Sequence, residues 1–221
     1  MLQRVLLIRH GQTDWNIEGR WQGILPVALN AEGRAQAQAL ADHLRDRPIR
    51  RIVSSDLPRA FETASALGRS VGVAPEPDVR WREFNLGIFQ GLTRDEITAR
   101  YAAEWEAFHA DYWDYRIPGG ESRRAAQSRI FAGWQELVEQ TGAEEAAAVS
   151  HGGVIKLLLL KLFRDDPTIR DLHLENTSVT YIERDAGGWR LAQAARTDHL
   201  RPASRTPRHS LMAAPPESEN I

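Results

Sequence analysis

The chain opens on an apolar run of strand length, Val5-Leu6-Leu7-Ile8, that stops at a charged pair, Arg9-His10, and is followed at once by Gly11. A buried strand needs no arginine and histidine at its end. The carboxyl edge of a parallel sheet does, because α/β proteins hold their ligands in that crevice. Taken alone, the stretch is equally well explained by a strand surfacing into a polar loop. The design recurs, though. Residues 146–150 form a second short apolar strand, which delivers His151-Gly152-Gly153 ahead of a helical run over 154–163. Glycines there let the backbone approach a ligand at a helix start.

The intervening chain alternates strands with helices. Residues 11–29 lack periodicity and read as a functional loop, with Gly11, Gly19, Gly23 and Pro26. Asn30 can cap a helix whose apolar stripe is Ala37, Leu40, Ala41 and Leu44, and Pro48 stops it. A second strand over 51–55 completes a βαβ unit, which predicts parallel strands. Ser55 or Asp56 caps the next helix, with Pro58 in its first turn and Leu57, Phe61, Ala64 and Leu67 on its buried face. Arg59 then starts on the same sheet edge as Arg9 and His10. Pro75 and Pro77 make 73–82 an extended edge strand leading to Trp81-Arg82-Glu83-Phe84.

From 93 to 115 the pattern predicts a helix with Tyr101, Trp105, Phe108, Tyr112 and Tyr115 along one face. That stripe is either a packing surface or a lid offering an apolar wall to the organic part of a ligand. Pro118-Gly119-Gly120 breaks the chain, and a further helix buries Ala126, Ile130, Trp134, Leu137 and Val138 as far as Gly142. Residues 177–184 and 189–195, joined at Gly187-Gly188, read as an antiparallel hairpin. From 199 onward Pro, Ser and Arg predominate, and a disordered tail is expected.

A net charge of −2 gives no long-range attraction to nucleic acid or an anionic membrane, so anion recognition falls to local arginines. The absence of cysteine excludes disulfides, thiolate chemistry and Cys-ligated metals. No apolar run reaches membrane-spanning length and no leader pattern opens the chain, so a cytoplasmic location is expected.

Five groups fall at sheet edges or helix starts: Arg9, His10, Arg59, Glu83 and His151. Two guanidiniums can clamp phosphoryl oxygens. One histidine can attack phosphorus, the other can donate to an oxygen, and a carboxyl can protonate a departing alkoxide. Two histidines and a glutamate could instead bind zinc, but the neighbouring arginines repel a dication, so neither metal nor other cofactor is expected. A serine triad is weaker still, since Ser54, Ser55 and Ser150 occupy no nucleophile elbow.

The motif Leu7-Ile8-Arg9-His10-Gly11-Gln12-Thr13 with Asn16 resembles the signature of the histidine phosphatase superfamily, the phosphoglycerate mutase-like enzymes. The resemblance continues through Ser54-Ser55-Asp56-Leu57-Pro58-Arg59-Ala60 with Thr63, Glu83 with Gly87 and Gln90-Gly91, Gly119-Gly120-Glu121-Ser122 and Val149-Ser150-His151-Gly152-Gly153. It covers residues 4–196 and implies a three-layer α/β/α sandwich with a mostly parallel sheet, here one domain over 1–198 closed by the antiparallel hairpin. It also implies that His10 becomes phosphohistidine, that Arg9, Arg59 and His151 form the phosphate pocket with Asn16, and that Glu83 is proton donor and then base. Gln22, Gly23 and Gly152 complete the expected phosphate-binding set.

Mutases of the family usually carry an Arg-His-Tyr run after the acid and an arginine pair in a longer insert. Here Phe84-Asn85-Leu86-Gly87 follows Glu83, and the segment beyond Gly91 is aromatic. The expectation is therefore a metal-independent phosphomonoesterase of the histidine acid type acting on small phosphorylated metabolites. A cofactor-dependent mutase and a non-catalytic phosphate-binding protein are the alternatives. Pro26-Val27-Ala28-Leu29 stands where relatives often show Asp-x-Pro-Leu, which leaves the shape of that loop open. The aromatic helix and the hairpin each offer a surface through which two copies could pair.

Overall fold

The computed structural model describes residues 2–139 and 144–200. Its strands are β1 (Arg4–Arg9), β2 (Ile49–Ser54), β3 (Pro75–Pro77), β4 (Glu145–Ser150), β5 (Val179–Asp185) and β6 (Gly188–Arg196). Its helices are α1 (Asp14–Ile17), α2 (Ala31–His43), α3 (Pro58–Val71), α4 (Arg94–Arg100), α5 (Ala102–Ala110), α6 (Arg123–Glu139) and α7 (Gly152–Leu162). None of the described helices is long and apolar enough to cross a membrane.

Side-chain alternation along the central strands decides the layers. In β1, Val5 and Leu7 enter one apolar cluster, while Leu6 and Ile8 enter the other. In β4, Ala146 and Ala148 part from Ala147 and Val149 in the same way. Successive residues of a strand point to opposite faces, so strands that are apolar throughout must be covered on both. Leu40 of α2 and Ala60, Ala64 and Leu67 of α3 cover one face. Ile130 and Trp134 of α6 and the apolar run of α7 cover the other. The result is the expected three-layer α/β/α sandwich.

The sheet order is β3-β2-β4-β1-β5-β6, with β3, β2, β4 and β1 parallel and the β5–β6 hairpin antiparallel. β1 and β2 run in the same direction, as the βαβ unit requires, but β4 lies between them. That insertion brings the two histidine-bearing strands together. Arg9 pairs with Ser150 in register, so His10 and His151 leave the sheet edge side by side.

Several local expectations need correction. Leu57, not Ser55 or Asp56, occupies the N-cap of α3. Ser55 Oγ still accepts from Leu57 N at 3.2 Å, but Asp56 is drawn away to Arg82 at 2.6 Å. Phe61 is only half-buried. The helix expected over 93–115 is two helices broken at Tyr101, whose φ of −135° and ψ of 46° are not helical, and α5 ends at Ala110. All five aromatics of that stripe nonetheless pack on the core. Gly142 and residues 201–221 of the expected tail lie outside the described residues. His199 and Leu200, also assigned to that tail, are held against the domain: Leu200 is buried and His199 Nε2 lies 3.0 Å from Thr177 Oγ1.

Candidate active site

The ring centroids of His10 and His151 are 5.1 Å apart. His10 is fixed through its backbone, its N–H donating to Ser150 O at 2.9 Å and its carbonyl accepting from Asn176 Nδ2 at 2.9 Å. Its Nδ1 lies 2.6 Å from the Gly11 carbonyl. A carbonyl oxygen only accepts, so Nδ1 carries the proton and Nε2 keeps the lone pair. Burial, followed by the Arg59 and Arg9 charges, holds the His10 pKa well below the usual histidine range. The ring is neutral at pH 7.

His151 is pushed down in the same direction by burial and then by Arg59, His10 and Arg9. Its Nε2 lies 2.8 Å from Ser55 Oγ, while its buried Nδ1 has no protein partner.

Each arginine is anchored by backbone carbonyls rather than by a carboxylate. Arg9 Nη1 donates to Leu174 O at 2.5 Å. Arg59 is wholly buried and donates to Leu25 O at 2.8 Å and Gly23 O at 2.7 Å. Burial lowers both guanidiniums to about 10, which leaves them charged at neutral pH. The Nε of each is buried without a partner. Thr63, one helical turn beyond Arg59, donates to the Arg59 carbonyl at 2.7 Å and accepts from Gly11 N at 3.1 Å, tying α3 to the histidine loop.

Two glycines are required by close approach. A Cβ on Gly11 would lie 2.5 Å from the Gly33 carbonyl of α2, so the loop after His10 packs backbone against backbone. Gly23 has a φ of +53°, and a Cβ there would meet Gln90 Oε1 at 2.2 Å. Gln90 Oε1 in turn accepts from Ile24 N at 2.7 Å, fixing the loop that holds Arg59.

Asn16 closes a capping box with Thr13 at the start of α1. Its Oδ1 accepts from Thr13 N at 3.0 Å, Thr13 Oγ1 at 3.1 Å and Asn176 Nδ2 at 3.3 Å, so its amide nitrogen is what remains for a ligand. The Glu83 carboxylate sits at the amino end of α7. Oε1 accepts from Phe84 N at 2.9 Å and Val154 N at 3.1 Å, and Oε2 from Gly153 N at 3.2 Å.

These groups converge on one cleft. Arg9, His10, Asn16, Gln22, Gly23, Arg59, Glu83 and Gly152 all line it, whereas His151, fully buried, does not line it and lies behind it against the His10 ring. Trp21, Phe84, Leu86 and Phe108 form an apolar wall. Sequence reasoning missed that wall apart from Phe108, and it missed Ser55 and Asn176 as partners of the two histidines. One signal was available: Asn176-Thr177-Ser178 is a polar run directly ahead of β5, whose antiparallel course brings its amino end to the same sheet edge.

The family model of the histidine phosphatase superfamily, branch 1, matches residues 5–197. The chain belongs to that superfamily. The chain is 43% identical over 173 residues to glucosyl-3-phosphoglycerate phosphatase of Mycobacterium tuberculosis, covering 72% of this chain and 76% of that protein. It is 36% identical over 203 residues to phosphoglycerate mutase-like protein 4 of Arabidopsis thaliana, covering 89% and 86%. The mycobacterial glucosyl-3-phosphoglycerate phosphatase solved with VO3 matches its fold with a TM-score of 0.77 at 35% identity, covering 88% of this chain and 100% of that one.

Proposed function

We propose that the protein hydrolyses small phosphomonoesters without a metal, through a phosphohistidine formed on His10. One observation carries this reading: Arg9 Nε, Arg59 Nε and His151 Nδ1 are buried without protein partners around a histidine whose Nε2 lone pair is free. Unsatisfied buried donors cost about 1–3 kcal/mol each, more when charged, and an anion with several acceptor oxygens answers all of them at once.

In the first step the His10 Nε2 lone pair attacks phosphorus. The P–N bond forms, the P–O bond to the leaving group breaks, and the alkoxide takes a proton from Glu83. Oε2 of Glu83 is suited to carry that proton because it accepts only one backbone hydrogen bond, whereas Oε1 accepts two. The guanidiniums neutralise charge on the transferring oxygens. With Ser55 donating to Nε2 of His151, its Nδ1 holds the proton and adds a further donor. In the second step Glu83 takes a proton from water as the oxygen attacks phosphorus, the P–N bond breaks, and phosphate and neutral His10 are regenerated.

Hydrolysis is favoured over mutase chemistry by the cleft walls. Beyond the phosphate pocket they are Trp21, Phe84, Leu86 and Phe108, and Arg9 and Arg59 are the only arginines among the described lining residues. Nothing there would hold the second anionic end that a mutase must retain between its two transfers. The same walls favour leaving groups with apolar surface.

The test is phosphate release from p-nitrophenyl phosphate and from 3-phosphoglycerate, with chelator present. Wild type should release phosphate, and His10→Ala should lose roughly 10³-fold or more of the rate. Isomerisation of 3-phosphoglycerate without phosphate release would overturn the hydrolase reading, and activity surviving His10→Ala would overturn the mechanism.

A further inference from the structure

Glu83 belongs to an irregular segment between the 3₁₀ turns Val79–Trp81 and Gly87–Phe89, so no ladder or helix fixes its backbone. One side chain from α6 does so instead. Arg129 Nη1 donates to Arg80 O at 2.8 Å and to Arg82 O at 2.9 Å. Its Nη2 donates to Glu83 O at 3.2 Å and to Glu121 Oε1 at 2.7 Å. Glu121 Oε1 also accepts from Asn85 N at 2.9 Å, and the Glu121 backbone N–H donates to Asn85 O at 3.0 Å. The chain on both sides of Glu83 is thus held by an ion pair whose members do not line the cleft.

We propose that the Arg129–Glu121 pair is a positioning device that aims the Glu83 carboxyl at the oxygen of the leaving group. The inference rests on Glu83 being the proton donor. Its physical basis is the donor set: a planar guanidinium with five N–H groups can serve three carbonyls and a carboxylate together, and an ammonium cannot reproduce that fork. Glu83 is also tied to Phe84 N, Gly153 N and Val154 N, so any slip of the 80–85 backbone moves the carboxyl against the amino end of α7. Proton transfer requires hydrogen-bond reach, and a displacement of about 1 Å can cost on the order of 10²-fold in rate.

A device acting through the acid has a signature that a merely stabilising contact lacks. Protonation matters for poor leaving groups and little for p-nitrophenolate, so loss of the device must depend on the leaving group. The experiment measures kcat and KM on p-nitrophenyl phosphate and on an alkyl phosphate for wild type, Glu83→Gln, Arg129→Met, Arg129→Lys, Glu121→Gln and the Arg129→Met/Glu83→Gln double variant. Arg129→Met should lose about 10- to 100-fold in kcat on the alkyl ester, and much less on the aryl ester, with KM little changed. Arg129→Lys should recover part of the loss, and the double variant should be no slower than Glu83→Gln alone.

Equal losses on both substrates, or multiplicative losses in the double variant, would overturn the positioning role while leaving Glu83 as the acid. A Glu83→Gln variant indifferent to the leaving group would overturn the acid role and the proposal with it. Should Arg129→Met fail to fold, Glu121→Gln, which removes the charge and keeps the shape, must show the same bias for the proposal to stand.

Discussion

At Gly23 a hydrogen in place of a side chain keeps Arg59 where it is. The backbone there is left-handed, Gln90 occupies the space a Cβ would need, and the Gly23 carbonyl accepts from Arg59 Nη2. Gly23→Ala should therefore cost about 1–2 kcal/mol through the strained φ alone. It should also displace the Gln90 amide from Ile24 N and loosen Arg59. The expected outcome is a lower urea midpoint together with several-fold weaker competitive inhibition by inorganic phosphate. Undiminished phosphate inhibition would show that Arg59 does not depend on this loop. Residues of this kind divide by how the sequence displays them. His10, Arg9 and His151 were legible as candidates because the same ending, a short apolar strand delivering a histidine followed by glycine, occurs twice. Ser55 and Asn176 were not, because a serine between strand and helix looks the same whether it caps the helix or fixes a histidine, and an asparagine in a polar run looks the same whether or not it meets solvent.

Helix α5 shows what periodicity records and what it omits. The four- and three-residue spacing of the aromatics from Tyr101 to Tyr115, of which α5 carries Trp105 and Phe108, identified the side that faces the core, and that side is buried or half-buried as expected. The spacing gave no warning of the break at Tyr101, because Tyr101 N still bonds Ile97 O and Trp105 N still bonds Tyr101 O, so the stripe continues across a non-helical residue. It also hid what secures the end of the helix. Arg123, fully buried, lies 3.6 Å over the Phe108 ring and 4.0 Å over Tyr112, and it donates to the carbonyls of Phe108 at 3.0 Å and Tyr112 at 2.6 Å. A cation donating to the Phe108 carbonyl in the last turn of α5 is favourable both as a hydrogen-bond donor and against the helix dipole, and its bond to Tyr112 O ties down the chain just beyond the helix. Because Phe108 is also part of the cleft wall, Arg123→Met should act twice. Two buried carbonyls lose charged donors, for about 2–4 kcal/mol in denaturant unfolding. The KM for an aryl phosphate should rise several-fold while inhibition by inorganic phosphate stays constant. A stability loss with unchanged KM would mean that the hold on α5 does not extend to the cleft.

Across the whole molecule, the sheet gathers at one edge the carboxyl ends of β1, β2 and β4 and the amino end of β5, and with them several histidines that folding keeps neutral. His10 and His151 are depressed well below the ordinary histidine value by burial and by Arg59 and Arg9. His199, beside Thr177, is lowered to about 4 by burial and by His43, with Asp198 opposing. In the unfolded chain each titrates near 6.5. Below that pH the unfolded state therefore binds more protons than the folded one. The stability these histidines contribute is complete above about pH 6.5 and is lost as pH falls toward their folded values. The ion-paired carboxylates act in a lower window. Asp56, lowered chiefly by its hydrogen bond to Arg82, keeps its contribution until the pH drops below the usual carboxylate range. The interval between about 6.5 and 4 thus belongs to the histidines, and each one protonated only when unfolded steepens the slope by about 1.4 kcal/mol per pH unit. Urea midpoints should be level from pH 8 to 7 and fall steadily below 6.5. His199→Gln should flatten part of that fall without changing the level at pH 8, where every form of position 199 is uncharged. A midpoint that holds constant down to pH 5 would contradict the burial of neutral histidines at the sheet edge.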